Sequence, residues 1–360
     1  MVQSIARHAP LALTLAALAF TACSGGAGAP VPPPPNPNDG VPGNFADPGI
    51  ARLAVVDTFP PKNVKIFDAN ANGNVPPLFT MSSAAFQLNF PAGAAFDQAG
   101  NLYVTNESTP SVTIYSFSSS GTPALVRAIE GPDTGLAVPD AIAVDAAGNV
   151  YVSSLVTPPL NAKIDEFAAG ASGDAKPIAT IVGLHTHLSG PVSLAVDSAG
   201  NIFATSGGFF ILEFAPGSNG DIAPSAMISE NNDDPVRPGG FNGIAVDGSR
   251  NVYVRAELFG PGCNQAPAIV KYAPDLRSRI SYISGNWTGI PQAPFVHTGT
   301  LAVDATGKTF ISFPVTPSVW NGPNAISVFA AGVSGNIAPI ATITGSATGL
   351  EGNQEAIAVQ

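Results

Sequence analysis

Short apolar runs of four to six residues, rich in Val, Ile, Leu and aromatic side chains, recur along the chain between clusters of Gly, Pro, Asn, Asp and Ser. Such runs are strands punctuated by turns. No stretch shows sustained helical periodicity. One unit repeats: small or apolar residues, Val-Asp, two variable positions, Gly-Asn, then an apolar strand. It reads AAFDQAGNLYV, AIAVDAAGNVYV, SLAVDSAGNIFA, GIAVDGSRNVYV and TLAVDATGKTFI, with its acid at Asp97, Asp145, Asp197, Asp247 and Asp304. The steps are 48, 52, 50 and 57 residues. A period near 50 with several strands in each predicts a β-propeller or a solenoid.

Each unit supplies four strands. The first is IAVD-like. Asp-x-x-Gly-Asn then makes a tight turn, in which Gly takes positive φ and the carboxylate accepts backbone N–H groups. The second is NVYV-like. The third covers Val112–Phe117, Ile164–Phe167, Ile211–Phe214, Ile269–Tyr272 and Ile326–Phe329. A G-x-x-G-[N/D]-x-x-P turn follows, at Gly170–Pro177, Gly217–Pro224 and Gly332–Pro339, and leads into a fourth strand such as Ile178–Val182 or Ile340–Ile343. The N-terminal part of the repeat region has second, third and fourth strands (Leu53–Val56, Val64–Phe67, Leu78–Met81) but no first. The last residues, Glu355–Gln360, form a first strand with nothing after it. The two remnants complete one blade. The predicted fold is therefore all-β: a six-bladed β-propeller of four-stranded antiparallel blades over residues 49–360, closed by the C-terminal strand joining the N-terminal blade. Closure removes sheet edges that would otherwise pair with other chains.

The N-terminus has a different pattern. Arg7 precedes an apolar run from Ala9 to Phe20, too short to span a bilayer and of the length of a signal-peptide core. It ends Phe20-Thr21-Ala22-Cys23, which resembles the lipobox of bacterial lipoproteins, with Phe20 where Leu is usual. The resemblance implies a signal over 1–22, lipidation of Cys23 and an extracytoplasmic protein anchored to the bacterial cell envelope. Ser24 after the cysteine permits outer-membrane sorting. Residues 23–48, Gly-rich and then polyproline, read as a tether, because this composition cannot bury a core.

Composition narrows the function. The chain has 360 residues, 11% of them charged, with 38 Gly, 35 Pro and a net charge of −11. That acidity excludes a nucleic-acid partner, which needs a basic surface. With two cysteines, Cys23 and Cys263, no disulfide framework or cysteine-based zinc site arises.

The repeated units resemble NHL-type propeller repeats over residues 50–360. The resemblance implies a fold more than a function. Related six-bladed families include the gluconolactonase group, metal-dependent lactone hydrolases, and the peptidylglycine amidating lyases; streptogramin lyases have seven blades and similar repeats. Many NHL propellers only bind partners. No phosphate loop, HExxH or nucleophile elbow occurs.

Residues that recur in every unit are expected to be turn formers, so functional candidates are those that differ between blades. Five positions before each motif Asp the chain enters the central channel, at Ala92, Asp140, Val192, Asn242, Gly299 and, by equivalence with Gln360, Glu355. Oxygen-bearing side chains alternate there. Asp140, Asn242 and Glu355 suit Ca2+ or another divalent cation, and the gluconolactonase resemblance implies the same type of set; polar residues at a wet rim are the other reading. His185, His187 and His297 lie in interblade loops, as metal ligands or a base, or as solvated loop residues. Arg255 replaces the small polar pair seen elsewhere (Thr105-Asn106, Ser153-Ser154), and either clamps an anion or pairs with Glu257 or the acidic loop 230–234.

Connections from strand two to three, and between blades, vary in length, as in Ser229–Gly240, Arg255–Pro267, Gly285–Thr298 and Pro314–Asn324. Those between strands one and two and between three and four are short and are expected together on the opposite face. Variation marks the binding face, and Trp287 and Trp320 fall on it. The reading is a monomeric, lipid-tethered binding or scaffold module for an extracytoplasmic protein or glycan. A metal-dependent hydrolase or lyase at the channel mouth is its rival.

Overall fold

The computed structural model describes residues 51–57, 62–156, 162–190, 193–229, 237–260, 263–285, 288–290, 300–314, 324–350 and 354–360. It is an all-β propeller of six antiparallel sheets, each built on four strands running from the axis outward, with a fifth, short strand added in blade V. In blade I the C-terminal strand Gln354–Val359 lies inside Arg52–Asp57, Asn63–Asp68 and Phe79–Ser82. Blades II to VI follow, with innermost strands Pro91–Phe96, Val138–Val144, Leu194–Val196, Ile244–Val246 and Leu301–Val303. Each innermost strand touches the next, and the last touches Gln354–Val359, so the ring is closed.

The core is not one mass. It divides into six clusters, each lodged between two adjacent blades. Alternation on each strand sends side chains to both faces of a blade, and both faces are covered by neighbours, so second strands are buried throughout, as at Leu102–Asn106 and Ile202–Ser206. Phe203, Phe310 and Tyr103, at equivalent positions in blades IV, VI and II, are at most 1% exposed.

Three features depart from the sequence reading. Arg255–Pro267, expected as a variable loop, belongs largely to a long β-ribbon: Val252–Gly260 pairs with Cys263–Tyr272, and Arg237–Gly239 adds to the first of these. Cys263 opens the second strand, and its side chain lies outside the described residues. A four-residue helix, Ser83–Phe86, follows the outer strand of blade I.

The third departure concerns the G-x-x-G-[N/D] segments, expected as tight turns confined to one face. Each instead reaches the outer strand of the preceding blade. Gly173 forms a parallel bridge with Ile129, Gly220 with Ile181, Gly335 with Ile283 and Gly73 with Ile343. Gly173 donates to Ala128 O at 2.7 Å and accepts from Glu130 N at 2.9 Å, and the other three repeat this exchange. An outer strand carries a row of unpaired backbone groups. The following blade satisfies part of that row.

Candidate functional site

The central channel is built in layers. One level of it is lined by Ala94, Ile142, Leu194, Ile244, Leu301 and Ile357, which the strand registers align in the six blades. The next layer is small: Gly93, Ala141, Ser193, Gly243, Thr300 and Ala356. A Cβ on Gly93 would fall 2.3 Å from Asp140 O, so the inner strands of blades II and III approach to a distance that only glycine tolerates. The lined space is about 100 Å³.

Hydroxyls on the second strands hold this layer. Thr105 Oγ1 accepts from Gly93 N at 2.7 Å and donates to Asp140 O in the next blade at 2.6 Å. Thr205 Oγ1 accepts from Ser193 N at 3.2 Å and donates to Asn242 O at 3.2 Å. Ser153 and Ser312 accept the corresponding amides of Ala141 and Thr300 at 2.9 and 3.0 Å. The small polar pair visible in the sequence is thus a pin between inner strands.

Above lie the predicted rim residues. A register shift between Pro91 and Ala94, and another between Pro139 and Ile142, set Ala92 and Asp140 in β-bulges; a third shift falls opposite Gln354–Ala356. A bulge re-aims a side chain and is common beside sites. Asp140 lines the channel, half-buried, and is the one ionisable residue in the described lining. Asn242 is half-buried, and its Nδ2 donates to Gly240 O at 2.9 Å. The side chain of Glu355, and Val192 and Gly299, lie outside the described residues. Among the described residues no three His, Cys, Asp or Glu gather as a metal-binding group.

Arg255 occupies the position of Thr105 and Ser153. It is 2% exposed, and Glu257, two residues on along the same strand, is 4% exposed. Burial lowers the guanidinium to about 10, against the opposing field of Glu257. So deep a group is no surface clamp for an anion. Residues 230–234, its other proposed partner, are outside the described residues.

His185 and His187 belong to a device that the sequence reading missed. The interblade turns share G-x-x-T-[G/H]-[L/I], at residues 131–136, 183–188, 285–290 and 345–350. In each, the buried Thr hydroxyl donates to the Gly carbonyl, at 2.7, 2.7, 2.7 and 2.6 Å, and accepts the amide two residues on. The Asn or Asp after the latching glycine then caps the turn across the blade gap. Asp174 Oδ1 accepts Asp133 N at 2.6 Å, Asp221 Oδ1 accepts His185 N at 2.7 Å, and Asn74 Oδ1 accepts Ala347 N at 2.7 Å. His185 Nδ1 adds a contact to Asp221 Oδ2 at 2.8 Å, and these bonds from the His185 side chain and backbone hold the Asp221 carboxyl below its ordinary value. His187 stands where Gly135 and Gly349 stand elsewhere, with φ 59°, and packs 6.1 Å from the Phe210 ring. Both imidazoles are exposed and are placed by turn geometry. His297, Trp287 and Trp320 lie outside the described residues, as do Cys23 and the whole of 1–50. Recurrence of G-x-x-T four times was the signal available in the sequence.

The recurrent Asp residues form turns as expected. Asp197 Oδ1 accepts Asn201 N at 2.9 Å and Ala199 N at 2.8 Å. Arg250, which replaces the turn glycine of blade V at φ 66°, reaches back to Asp197 Oδ2 with Nε at 2.6 Å. Burial by itself raises Asp197 and Asp247. Bonds from Asn201 and Arg250, and from Asn251 and Tyr253, outweigh it, so both carboxyls sit below the ordinary value. The unfolded chain therefore takes up these protons first. Stability is present above the ordinary carboxylate range and is lost as pH falls through the folded values. Melting temperature is expected to fall from about pH 4 downward, and less steeply in Asp247→Asn. Asp165, raised by burial, acts in the opposite direction, so the measurement is the difference between variant and parent. Parallel acid curves would remove Asp247 from the account.

No family model matches this chain, and neither does any curated protein. Solved structures do resemble it. A protein of unknown function from Bacteroides caccae superposes with a TM-score of 0.54 at 10% identity, covering 86% of this chain and 98% of its own. A chain of the mitotic checkpoint complex gives 0.50 at 13% identity, with 85% and 77% covered. At such identities the likeness is one of fold alone, and it is the chain's own strand order that makes it a six-bladed β-propeller.

Proposed function

We propose that this protein is an NHL-type propeller, tethered to the bacterial cell envelope through lipidated Cys23, that works as a binding or scaffold module for an extracytoplasmic protein or glycan. The observation that carries the reading is a set of exposed apolar side chains at one rim of blades III and IV. Leu184, in the interblade turn, is 68% exposed, and Phe209, at the tip of the strand-two to strand-three hairpin, is 57% exposed. Val138 and Leu155, paired at the same rim of blade III, are 38% and 39% exposed. This is the rim of variable connections to which Trp287 and Trp320 also belong by sequence. Among the described residues four of the nine exposed large apolar side chains gather at this rim, the other five being spread singly at the outer strands of blades II to VI, and a gathered set favours recognition.

The test uses full-length protein on beads with envelope extract and with a glycan array. Leu184→Ser with Phe209→Ser, and separately Trp287→Ala with Trp320→Ala, are expected to cut capture by roughly tenfold, the weight of one or two anchors, with the melting temperature unchanged. Cys23→Ser is expected to move the protein from the membrane fraction to the soluble one. Capture undiminished in both pairs sinks the binding face. A Ca2+- or Zn2+-dependent rise in melting temperature, lost in Asp140→Ala, Asn242→Ala and Glu355→Ala, would replace the reading with the metal-dependent hydrolase.

A further inference from the structure

Among the described residues four of the six outer strands are latched by the following blade, and two are not. Blade II follows blade I, but its third and fourth strands are joined by a short turn, Ser118 to Thr122, which closes on itself through Gly121 N to Ser118 O at 2.8 Å. Blade V follows blade IV with a similarly self-closed turn, Ala273 N to Ser278 O at 2.8 Å. The outer strands left without a bridge among the described residues are Phe79–Ser82 and Ala226–Ser229.

The edge of blade I presents the groups that are paired elsewhere. Register places Thr80 O with Ala128 O and Thr180 O, and Ser82 N with Glu130 N and Val182 N. Neither Thr80 O nor Ser82 N has a backbone partner beyond its own blade among the described residues. The turn after this strand is a version of the interblade turn, with Phe86 in place of the Thr and Gln87 at φ 55°. Its Ala85 N matches the amides of Asp133, His185 and Ala347, which neighbouring blades cap. Phe79 and Phe86, with ring centroids 5.8 Å apart, and, further along the same gap, Phe96 and Phe117 stay only half-buried against the cluster between blades I and II.

One segment of the chain outside the described residues matches the latch segments in sequence. Residues 40–46 read G-V-P-G-N-F-A, against G-V-S-G-N-I-A at 332–338 and G-S-N-G-D-I-A at 217–223. Gly43 aligns with the bridging glycines and Asn44 with the capping Asn74, Asp174 and Asp221. Phe45 aligns with Val75, Ile222 and Ile337, which pack against the clusters between blades. Asp47 stands where Pro177 and Pro339 stand, with Pro48 next to it. Reach is sufficient. Nine steps from Gly43 to Arg52 span at most about 30 Å, and a segment docked outside Phe79–Ser82 would lie three strand spacings, about 14 Å, from Arg52–Asp57. Ala226–Ser229 belongs to the blade on the far side of the ring.

We propose that residues 40–46 dock on the outer edge of blade I as its fifth, parallel segment. Gly43 exchanges backbone bonds with Thr80 and Ser82, Asn44 caps Ala85 N, and Val41 and Phe45 cover the phenylalanines at the gap. The folded body then starts near residue 40, and the tether shortens to residues 23–39.

Amide hydrogen exchange on the full chain in detergent tests this. Deleting residues 40–46 is expected to speed exchange at Ser82 by at least about tenfold, leaving Ser229 in blade IV unchanged. Asn44→Ala is expected to speed Ala85 selectively, and Asn38→Ala, in the tether, to do nothing. Equal exchange at Ser82 in parent and deletion overturns the proposal. So does a loss of protection at Ser229 in place of Ser82. Protection at Ser82 that grows with protein concentration alongside a dimer mass assigns the edge to a second copy and overturns it as well.

Discussion

Removing residues 353–360 is expected to open the ring and cost more stability than any point change in the molecule. The lost strand pairs with Arg52–Asp57 over five registered positions. Its Ile357, 5% exposed, packs in the cluster between blades VI and I, and Ala358, 7% exposed, packs in the one between blades I and II. Burying an Ile contributes about 2 kcal/mol and each backbone bond about 1 kcal/mol. The direct loss is therefore at least about 5 kcal/mol, before counting core newly exposed at the gap. Melting temperature should drop by on the order of 10 °C or more, and a synthetic peptide of the missing strand, added in excess, should restore part of it. If the truncation does not fold, Ile357→Ala keeps the question open to measurement, with an expected cost of about 2–4 kcal/mol. A truncated chain melting with the parent would mean that closure contributes nothing.

The second large effect lies in blade I. Asp57, fully buried, and Lys65, 4% exposed, form an ion pair, and Lys65 Nζ also donates to Asn63 Oδ1 at 2.8 Å. Asp57 stands where Asn106, Ser154 and Ser206 stand in other blades, and Lys65 stands where Thr113 and Leu212 do. Taking two charges out of water is repaid only while both are present. Lys65→Met leaves a carboxylate buried without its ammonium and is expected to destabilise by about 3–5 kcal/mol. Adding Asp57→Leu should recover most of the loss, because an apolar pair of similar volume removes the desolvation cost. Chemical denaturation of parent, single and double variants closes the cycle. A single variant as stable as the parent, or a double variant worse than the single, would show that the pair does not behave as a unit.

The sequence determined the fold because a propeller is a periodic object. Five recurrences of the Asp-centred hairpin set five of the blades, and the incomplete strand sets at the two ends of the repeat region required Glu355–Gln360 to pair near Leu53 as the sixth. Turn chemistry was equally local. An Asp two to four residues from the amides it accepts is legible without a structure. The rim position of Asp140 was legible too, since it follows from counting back from a motif residue.

What tertiary structure alone decided involves groups far apart in the chain. Asp221 caps a turn 36 residues earlier, and Asn74 caps one 273 residues later. The G-x-x-G-[N/D] segments look like self-contained turns because their glycines fit one, and their partner is a backbone edge that has no sequence signature. The depth of Arg255, the β-ribbon around Cys263 and the placing of His185 and His187 depend in the same way on which neighbour's surface covers them. Local steric preference writes itself into residue spacing. Burial between blades is set by the closed ring, and no spacing along one strand records it.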